Sequence, residues 1–297
     1  MHFGWFGKPL KFNEQGVSGE TMVFALIGDP IEHSMSPTIQ NAAFRSTSLN
    51  AIYVPFQVES SRLRVAIEGL KSLGVRGFNV TTPHKTAMLR YIDEVETKAA
   101  EIRSINTVKC DQGTLTGFNT DGTGALSAMK EADVSPNGKT ILLFGAGGAA
   151  RAIAHSLGEH RCEINFVNRT ISRARRLASL MRVKFGIEAN GVSLSSKSLR
   201  KHVEGADIIL NASSMGMAGN ENLPIHKEWL RPEQCVFDIV YRPVNTLLLR
   251  KAVLAGAQAI NGLDMLLGQG ACSFTIWTGK KAPVSEMRRS IARFFGD

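Results

Sequence analysis

The sequence predicts an α/β protein of two domains, and three observations carry that reading. At 297 residues the chain is long enough for two separate cores. Apolar residues make up 43% of it and charged residues 21%, a globular balance rather than a disordered one. Short strand-like apolar runs alternate with segments of helical periodicity almost throughout, as expected of helices packed on parallel sheets.

Taken in order, Val23–Gly28, Ile52–Val58 and Gly77–Val80 read as strands, followed by a pair at Asn106–Cys110 and Leu115–Phe118. Segments 37–48, 60–73 and 83–92 between them carry helical spacing. The third opens at Thr82-Pro83, which has the form of a capping hydroxyl followed by a first-turn proline. Lys85 then stands in a first helical turn, against the positive end of the macrodipole, where its ammonium is destabilised and acids are normally favoured. Ala132–Lys139 (ADVSPNGK) has the turn chemistry of a linker. Beyond it come strand ILLFGA from 141, helix 149–158, strand EINFVN from 163, helix 172–185, strands DIILNAS and VFDIVY, and helix 245–255. Two helical stretches, near 263–279 and 284–295, close the chain.

Residues 1–20 are set aside as an extension: MHFGWFGKPLKFNEQG lacks the apolar core and cleavage site of a signal peptide. No apolar run approaches membrane-spanning length. Cys110, Cys162, Cys235 and Cys272 are widely spaced with no CxxC pair, which reads as reduced thiols of a cytoplasmic protein and implies neither disulfides nor a metal. The net charge of +9 invites a nucleic-acid reading, but the densest basic stretch, Ser172–Arg176, is short and has few aromatics among its arginines. A solvated helix face or a small phosphate site accounts for it better.

Gly145-Ala146-Gly147-Gly148-Ala149-Ala150 follows an apolar strand and opens a helix, fitting G-x-G-x-x-A. Gly145 suits the tight turn, Gly147 the close approach of a pyrophosphate, and Ala150 the packing of helix on strand, so this stretch predicts a Rossmann-type dinucleotide site. An NAD site carries an acid at the end of the following strand, to grip the ribose 2′-hydroxyl. Here that end reads Asn168-Arg169-Thr170, with Arg173 one turn later. Guanidinium groups bind a 2′-phosphate that a carboxylate would repel, so these four residues argue for NADP(H).

The first half carries polar clusters where strands end. Ser34 and Ser36 lie in HSMSP, Asn79 and Thr81 flank the third strand, and Asn106 and Asp121 follow in SINT and GFNTDG. Singly, each reads as a turn or cap residue. Together they bring hydroxyls, amides, a carboxylate and Lys85 to strand C-terminal ends, where α/β sheets bind ligands.

HSMSP, GFNVTTPHK, SINT, GFNTDGTG, GAGGAA, NRT, NASSMGM, DIVY and GLDMLLGQG occur in this order over about residues 22 to 295. In these motifs the chain resembles the shikimate/quinate dehydrogenase family. The resemblance implies a substrate domain at 21–122 plus about 263–297, with a mostly parallel sheet, and a Rossmann-type NADP-binding domain at 123–262. The C-terminal helices would pack back on the first domain. It implies NADPH-dependent reversible reduction of 3-dehydroshikimate to shikimate, in the route to chorismate and the aromatic amino acids, by a monomer or homodimer without nucleic-acid or membrane partners. Lys85 and Asp121 would be the catalytic pair. Ser34 and Ser36 would bind the substrate carboxylate with Tyr241 closing that side, and Asn79, Thr81, Asn106 and Gln269 would contact the ring hydroxyls. Ile239 and Gly262 would lie beside the nicotinamide, and Ser213 near the cofactor.

Four positions depart from the family's usual pattern: Met35 for leucine, Ser213 for threonine, and Gly268 and Gly270 for alanines around Gln269. The last two are expected to loosen the helix carrying Gln269. Two rival readings stand beside the main one: a quinate/shikimate dehydrogenase with broader substrate and NAD(P) use, and a non-catalytic ligand-sensing member. Lysine and aspartate are common to both dehydrogenase readings, while NRT favours the NADP-specific one.

Overall fold

In the computed structural model, which describes residues 16–195, 197–217 and 221–295, the chain builds two six-stranded sheets. The first contains β1 (Met22–Gly28), β2 (Ala51–Gln57), β3 (Gly77–Val80), β4 (Glu94–Val95), β5 (Thr107–Asp111) and β6 (Thr114–Phe118), in the order β2-β1-β3-β5-β6-β4. β1 lies parallel to β2 and β3, while β5 and β6 form an antiparallel hairpin beside β3. Its helices are α1 (Ser36–Ser46), α2 (Leu63–Ser72) and α3 (Thr97–Ile102). Helix α4 (Asp121–Glu131) leads out of it.

The second sheet contains β7 (Thr140–Phe144), β8 (Glu163–Asn168), β9 (Ala189–Ser193), β10 (Ile208–Asn211), β11 (Cys235–Asp238) and β12 (Gln258–Ile260). All its pairings are parallel, in the order β12-β11-β10-β7-β8-β9, which reverses direction between β7 and β10. That reversal opens a crevice at the strand C-termini, where doubly wound folds hold their ligands. The helices are α5 (Gly148–Gly158), α6 (Ile171–Phe185), α7 (Leu199–Gly205), α8 (Leu247–Leu254), α9 (Gly262–Thr278) and α10 (Val284–Phe295).

Strand β7 is continuously apolar because helices cover both its faces: Ile141 and Leu143 join one core with α5 and α6, Leu142 and Phe144 another with α7 and α8. On the first sheet, α9 and α10 pack on the face of Phe24, Leu26 and Tyr53, through Leu266, Leu267, Phe274, Trp277, Met287 and Ile291. Trp277 Nε1 also donates to the Val108 carbonyl at 2.8 Å, pinning α9 across the sheet. Burial pushes the Cys162 thiol up to about 11 and Cys235 to about 12, so both stay protonated inside the second sheet's cores.

Two features differ from the sequence reading. β4, α3, α4, β9, α7 and β12 were not anticipated. Segment 83–92 is not an α-helix: residues 82–86 form successive turns and only Ala87–Arg90 makes a 3-10 turn. The expected extension at residues 1–20 lies largely outside the described residues.

Helix α4 approaches its neighbours through glycine. A Cβ on Gly122 would stand 2.4 Å from the Ala152 carbonyl oxygen of α5, and one on Gly124 2.7 Å from the Gln269 nitrogen of α9. Gly268 answers from α9, its own Cβ position 3.0 Å from the Gly124 Cα. Far from loosening α9, as the sequence suggested, Gly268 lets it come close to α4.

Candidate functional site

Lys85 does not stand at a helix N-terminus, so the dipole account of that position fails. Its carbonyl accepts a hydrogen bond from the Ile105 N–H at 2.8 Å, which ties the turn sideways to the α3–β5 connector. Its ammonium donates to Asp121 Oδ2 at 2.6 Å; the lysine side chain is 17% exposed and the aspartate 1%. Asp121 is the first residue of α4, where a carboxylate is favoured by the helix dipole. The other carboxylate oxygen, Oδ1, accepts from Asn106 Nδ2 at 2.9 Å. One wall of the site is therefore a charge-assisted pair held from both sides.

Asn106, at the start of the β5–β6 hairpin, ties that pair to the rest of the site. Its Nδ2 also lies within hydrogen-bonding range of Thr120 Oγ1 (2.9 Å) and Gln269 Oε1 (3.1 Å), and its Oδ1 accepts from Thr107 Oγ1 and the Thr120 N–H. Asn79 Nδ2 lies within hydrogen-bonding range of the Asn106 carbonyl, Thr107 Oγ1 and Ser273 Oγ, and Asn79 Oδ1 accepts from the Tyr53 hydroxyl at 2.8 Å. Thr81 sits at the end of β3 with its methyl packed on Gly28. Lys85, Asp121, Asn79, Asn106 and Gln269 are thus gathered from the turn after β3, from β3, from the hairpin and from helices α4 and α9.

At the far end, Ser34 Oγ accepts from the Ser36 N–H at 3.2 Å, so it shapes the approach to α1 instead of capping it. Tyr241 lies beside Ser34, and Tyr53 beside Ser36. Burial raises the pKa of both phenols, keeping them neutral and able to donate. The Met35 sulfur accepts from Arg242 at 3.4 Å, a contact that leucine cannot make.

Sequence reasoning missed Tyr53, Thr107, Thr120 and Ser273. Thr107 and Thr120 lay inside quoted motifs, whereas Tyr53 and Ser273 come from a strand and a helix whose patterns carried no site signal.

The dinucleotide turn closes on this cluster. Gly145 has φ +115°, and a Cβ there would meet the Ala212 carbonyl oxygen at 2.6 Å. Gly147 has nothing within 4 Å of its Cβ position, so no protein neighbour requires a glycine there and the space remains for a ligand's approach. Ala146 and Ala149 flank this opening. Gly148 stands 3.5 Å, from its Cβ position, to the Lys85 stem. Gly262 lies under Ile239, its Cβ position 2.1 Å from the Ile239 carbonyl oxygen.

At the β8 end, Asn168 Nδ2 donates to the Thr170 carbonyl at 3.0 Å, leaving Arg169, Thr170 and Arg173 exposed. Arg169 borders an open depression of about 320 Å³ with Leu194 and Ser195. This turn, open space and basic rim fit a dinucleotide with a 2′-phosphate. Ser213 is more constrained: its hydroxyl donates to Asn211 Oδ1 at 2.7 Å and accepts from the Met215 N–H, so it shapes the loop after β10. Among the described residues no His, Cys, Asp or Glu cluster has the makings of a metal site, and no helix is long and apolar enough to cross a membrane.

Three family descriptions match consecutive parts of the chain: the shikimate dehydrogenase substrate binding domain over 26–108, shikimate / quinate 5-dehydrogenase over 127–240, and the shikimate 5′-dehydrogenase C-terminal domain over 262–291. The shikimate dehydrogenase (NADP(+)) of Moorella thermoacetica is 44% identical, covering 94% of this chain and 96% of its own. A shikimate 5-dehydrogenase of Thermus thermophilus, solved with NADP(H) and shikimate, superposes with a TM-score of 0.82 at 35% identity, over 92% of this chain and 99% of its own. A quinate dehydrogenase of Corynebacterium glutamicum, solved with NAD, superposes at 0.84 with 28% identity, over 92% and 99%. With its polar cluster facing a dinucleotide turn and these likenesses running almost end to end, the chain belongs to the shikimate dehydrogenase family.

Proposed function

We propose that this protein reduces 3-dehydroshikimate to shikimate reversibly with NADPH, in aromatic amino-acid biosynthesis. The observation that carries the reading is the Lys85–Asp121 pair at 2.6 Å, set between a network of amides and hydroxyls and the first residue of α5. The bound cofactor supplies a hydride to the carbonyl carbon. Negative charge then gathers on the carbonyl oxygen, and a positioned cation with a proton to give lowers that barrier. Lys85 Nζ gives the proton, and Asp121 Oδ2 keeps the ammonium aimed and balances it. Asn79, Thr81, Asn106 and Gln269 hold the ring hydroxyls. Ser34, Ser36 and Tyr241 take the carboxylate, with the neutral phenol donating.

On the cofactor side, Gly145–Ala149 receive the diphosphate on the helix N-terminus, and Asn168, Arg169, Thr170 and Arg173 the 2′-phosphate. Ser213, Ile239 and Gly262 form the wall beside the nicotinamide. In this reading residues 21–122 with about 263–297 form the substrate unit and 123–262 the cofactor unit. The intact Lys85–Asp121 pair argues against a non-catalytic sensor.

Steady-state rates with shikimate and quinate, each against NADP and NAD, test the assignment. Shikimate with NADP is expected to be the fastest of the four combinations by a wide margin; comparable rates with quinate would reassign the protein to the broader branch. Arg169→Ala is expected to raise KM for NADP by about tenfold or more and to leave that for NAD unchanged. A parallel rise for both would detach Arg169 from the 2′-phosphate.

A further inference from the structure

Helix α3 of the first sheet runs alongside α5 of the second, in the opposite direction. Lys98 pairs with Glu159 at 3.5 Å, and Glu101 with His155 at 2.8 Å. At the far end, Ser104 lies against Gly148. Two steps of this seam are bridged by paired side chains. The third, at the positive end of α5, brings together two cations, Arg103 and Arg151. Arg151 is half-buried, and neither guanidinium has a hydrogen bond or ion pair among the described residues. Burial first, and then the charges of Arg103, Arg176 and Arg173, lower the pKa of Arg151. Among the described residues no carboxylate is paired with either guanidinium.

Two further details fall at the same place. Arg103 caps α3 in the left-handed region, φ +56°, a conformation that favours glycine or asparagine. The Ser104 hydroxyl is wholly buried and has no partner among the described residues, and it stands 2.7 Å from the Cβ position of Gly148, the first residue of α5. Like charge, backbone strain and an orphan hydroxyl thus meet at one helix N-terminus. An anion seated there relieves the repulsion and offers the hydroxyl an acceptor.

We propose that Arg103, Ser104 and Arg151 hold the bridging diphosphate of the dinucleotide against the N-terminus of α5, so that the first sheet supplies the far wall of the cofactor site. This assignment rests on the NADP reading of the glycine turn and extends it. The 2′-phosphate is held separately at Arg169 and Arg173, and the diphosphate is common to NADP and NAD. Cofactor binding thereby joins the two sheets across the seam.

The test is calorimetric titration of the full-length protein and its Arg103→Gly and Arg151→Ala variants with NADP, NAD and shikimate, alongside Arg169→Ala. Arg103→Gly and Arg151→Ala are expected to weaken NADP and NAD by the same factor, about tenfold or more, with shikimate affinity within about twofold of wild type. Arg169→Ala is expected to weaken NADP alone. Arg103→Gly is also expected to melt, without cofactor, no lower than wild type, because it removes strain and repulsion together. A selective loss of NADP in the Arg103 or Arg151 variants would move these residues to the 2′-phosphate and overturn the assignment. Unchanged affinities would overturn it too, as would a lowered melting temperature with shikimate binding equally impaired. A wild type that binds neither dinucleotide would instead overturn the cofactor reading itself, and this assignment with it.

Discussion

Lys85→Ala is expected to lower kcat for shikimate oxidation by about a thousandfold, within the range that a positioned acid–base group contributes. Binding should change far less. Asn79, Asn106, Gln269 and the two serines are independent of the ammonium, and Asn106 still holds Asp121 Oδ1. KM for shikimate is therefore expected to stay within a few-fold, a split that marks a group acting in the transition state and not in general binding. Some stability is also lost, because the change leaves a carboxylate that is 1% exposed without its cation. Circular dichroism and equilibrium shikimate binding separate the two effects. Turnover within tenfold of wild type in a folded, shikimate-binding variant would remove Lys85 from the chemistry.

Gly124→Val is expected to be among the most damaging single changes outside the reacting groups. Even a Cβ at this position would lie 2.7 Å from both the Gln269 nitrogen and the Met265 carbonyl oxygen, and both are backbone atoms of a helix that cannot yield locally. Helices α4 and α9 must separate, at a cost of about 3 kcal/mol or more, which lowers Tm by roughly 6–12 °C. Because α9 carries Gln269 and α4 carries Asp121, KM for shikimate should rise as well. Gly69 on α2 is the internal control, with nothing within 4 Å of its Cβ position. Gly69→Ala should be neutral or stabilising by about 0.5–1 kcal/mol. Equal thermal behaviour of the two variants would remove the close approach of α4 and α9 as the reason for Gly124.

Alternation of strands and helices was readable from the sequence because β7 and its neighbours are buried on both faces, which leaves continuous apolar runs. Helix α4 was hidden for a chemical reason: its first turn, Asp-Gly-Thr-Gly, reads as a turn signal, whereas the glycines are there for contact with α5 and α9. Segment 83–92 failed in the opposite way. Its local pattern favours a helix, but the Lys85 carbonyl is taken by Ile105 from another part of the chain, a tertiary bond that overrides the local preference. Within the site, Lys85, Asp121 and the asparagines announce themselves as polar groups at strand ends. Tyr53 and Ser273 do not, since a tyrosine in a strand and a serine in an apolar helix look like packing residues until Asn79 is found between them.

The packing of α9 and α10 on the first sheet bears on how the protein is made. Strands β1 to β6 leave the ribosome early, yet on the face of Phe24 and Tyr53 the early segments supply only Ile31, Met35, Ile39, Ala43 and Phe44 of the buried cover, and the rest comes from residues between Leu266 and Ile291. Gln269 and Ser273, which complete the polar network, arrive with the same late segment. The nascent chain must carry a partly covered apolar face through the synthesis of the entire second sheet. A message that stops near residue 260 yields a dinucleotide fold beside an incompletely covered sheet, a substrate for chaperones and proteases and not an enzyme.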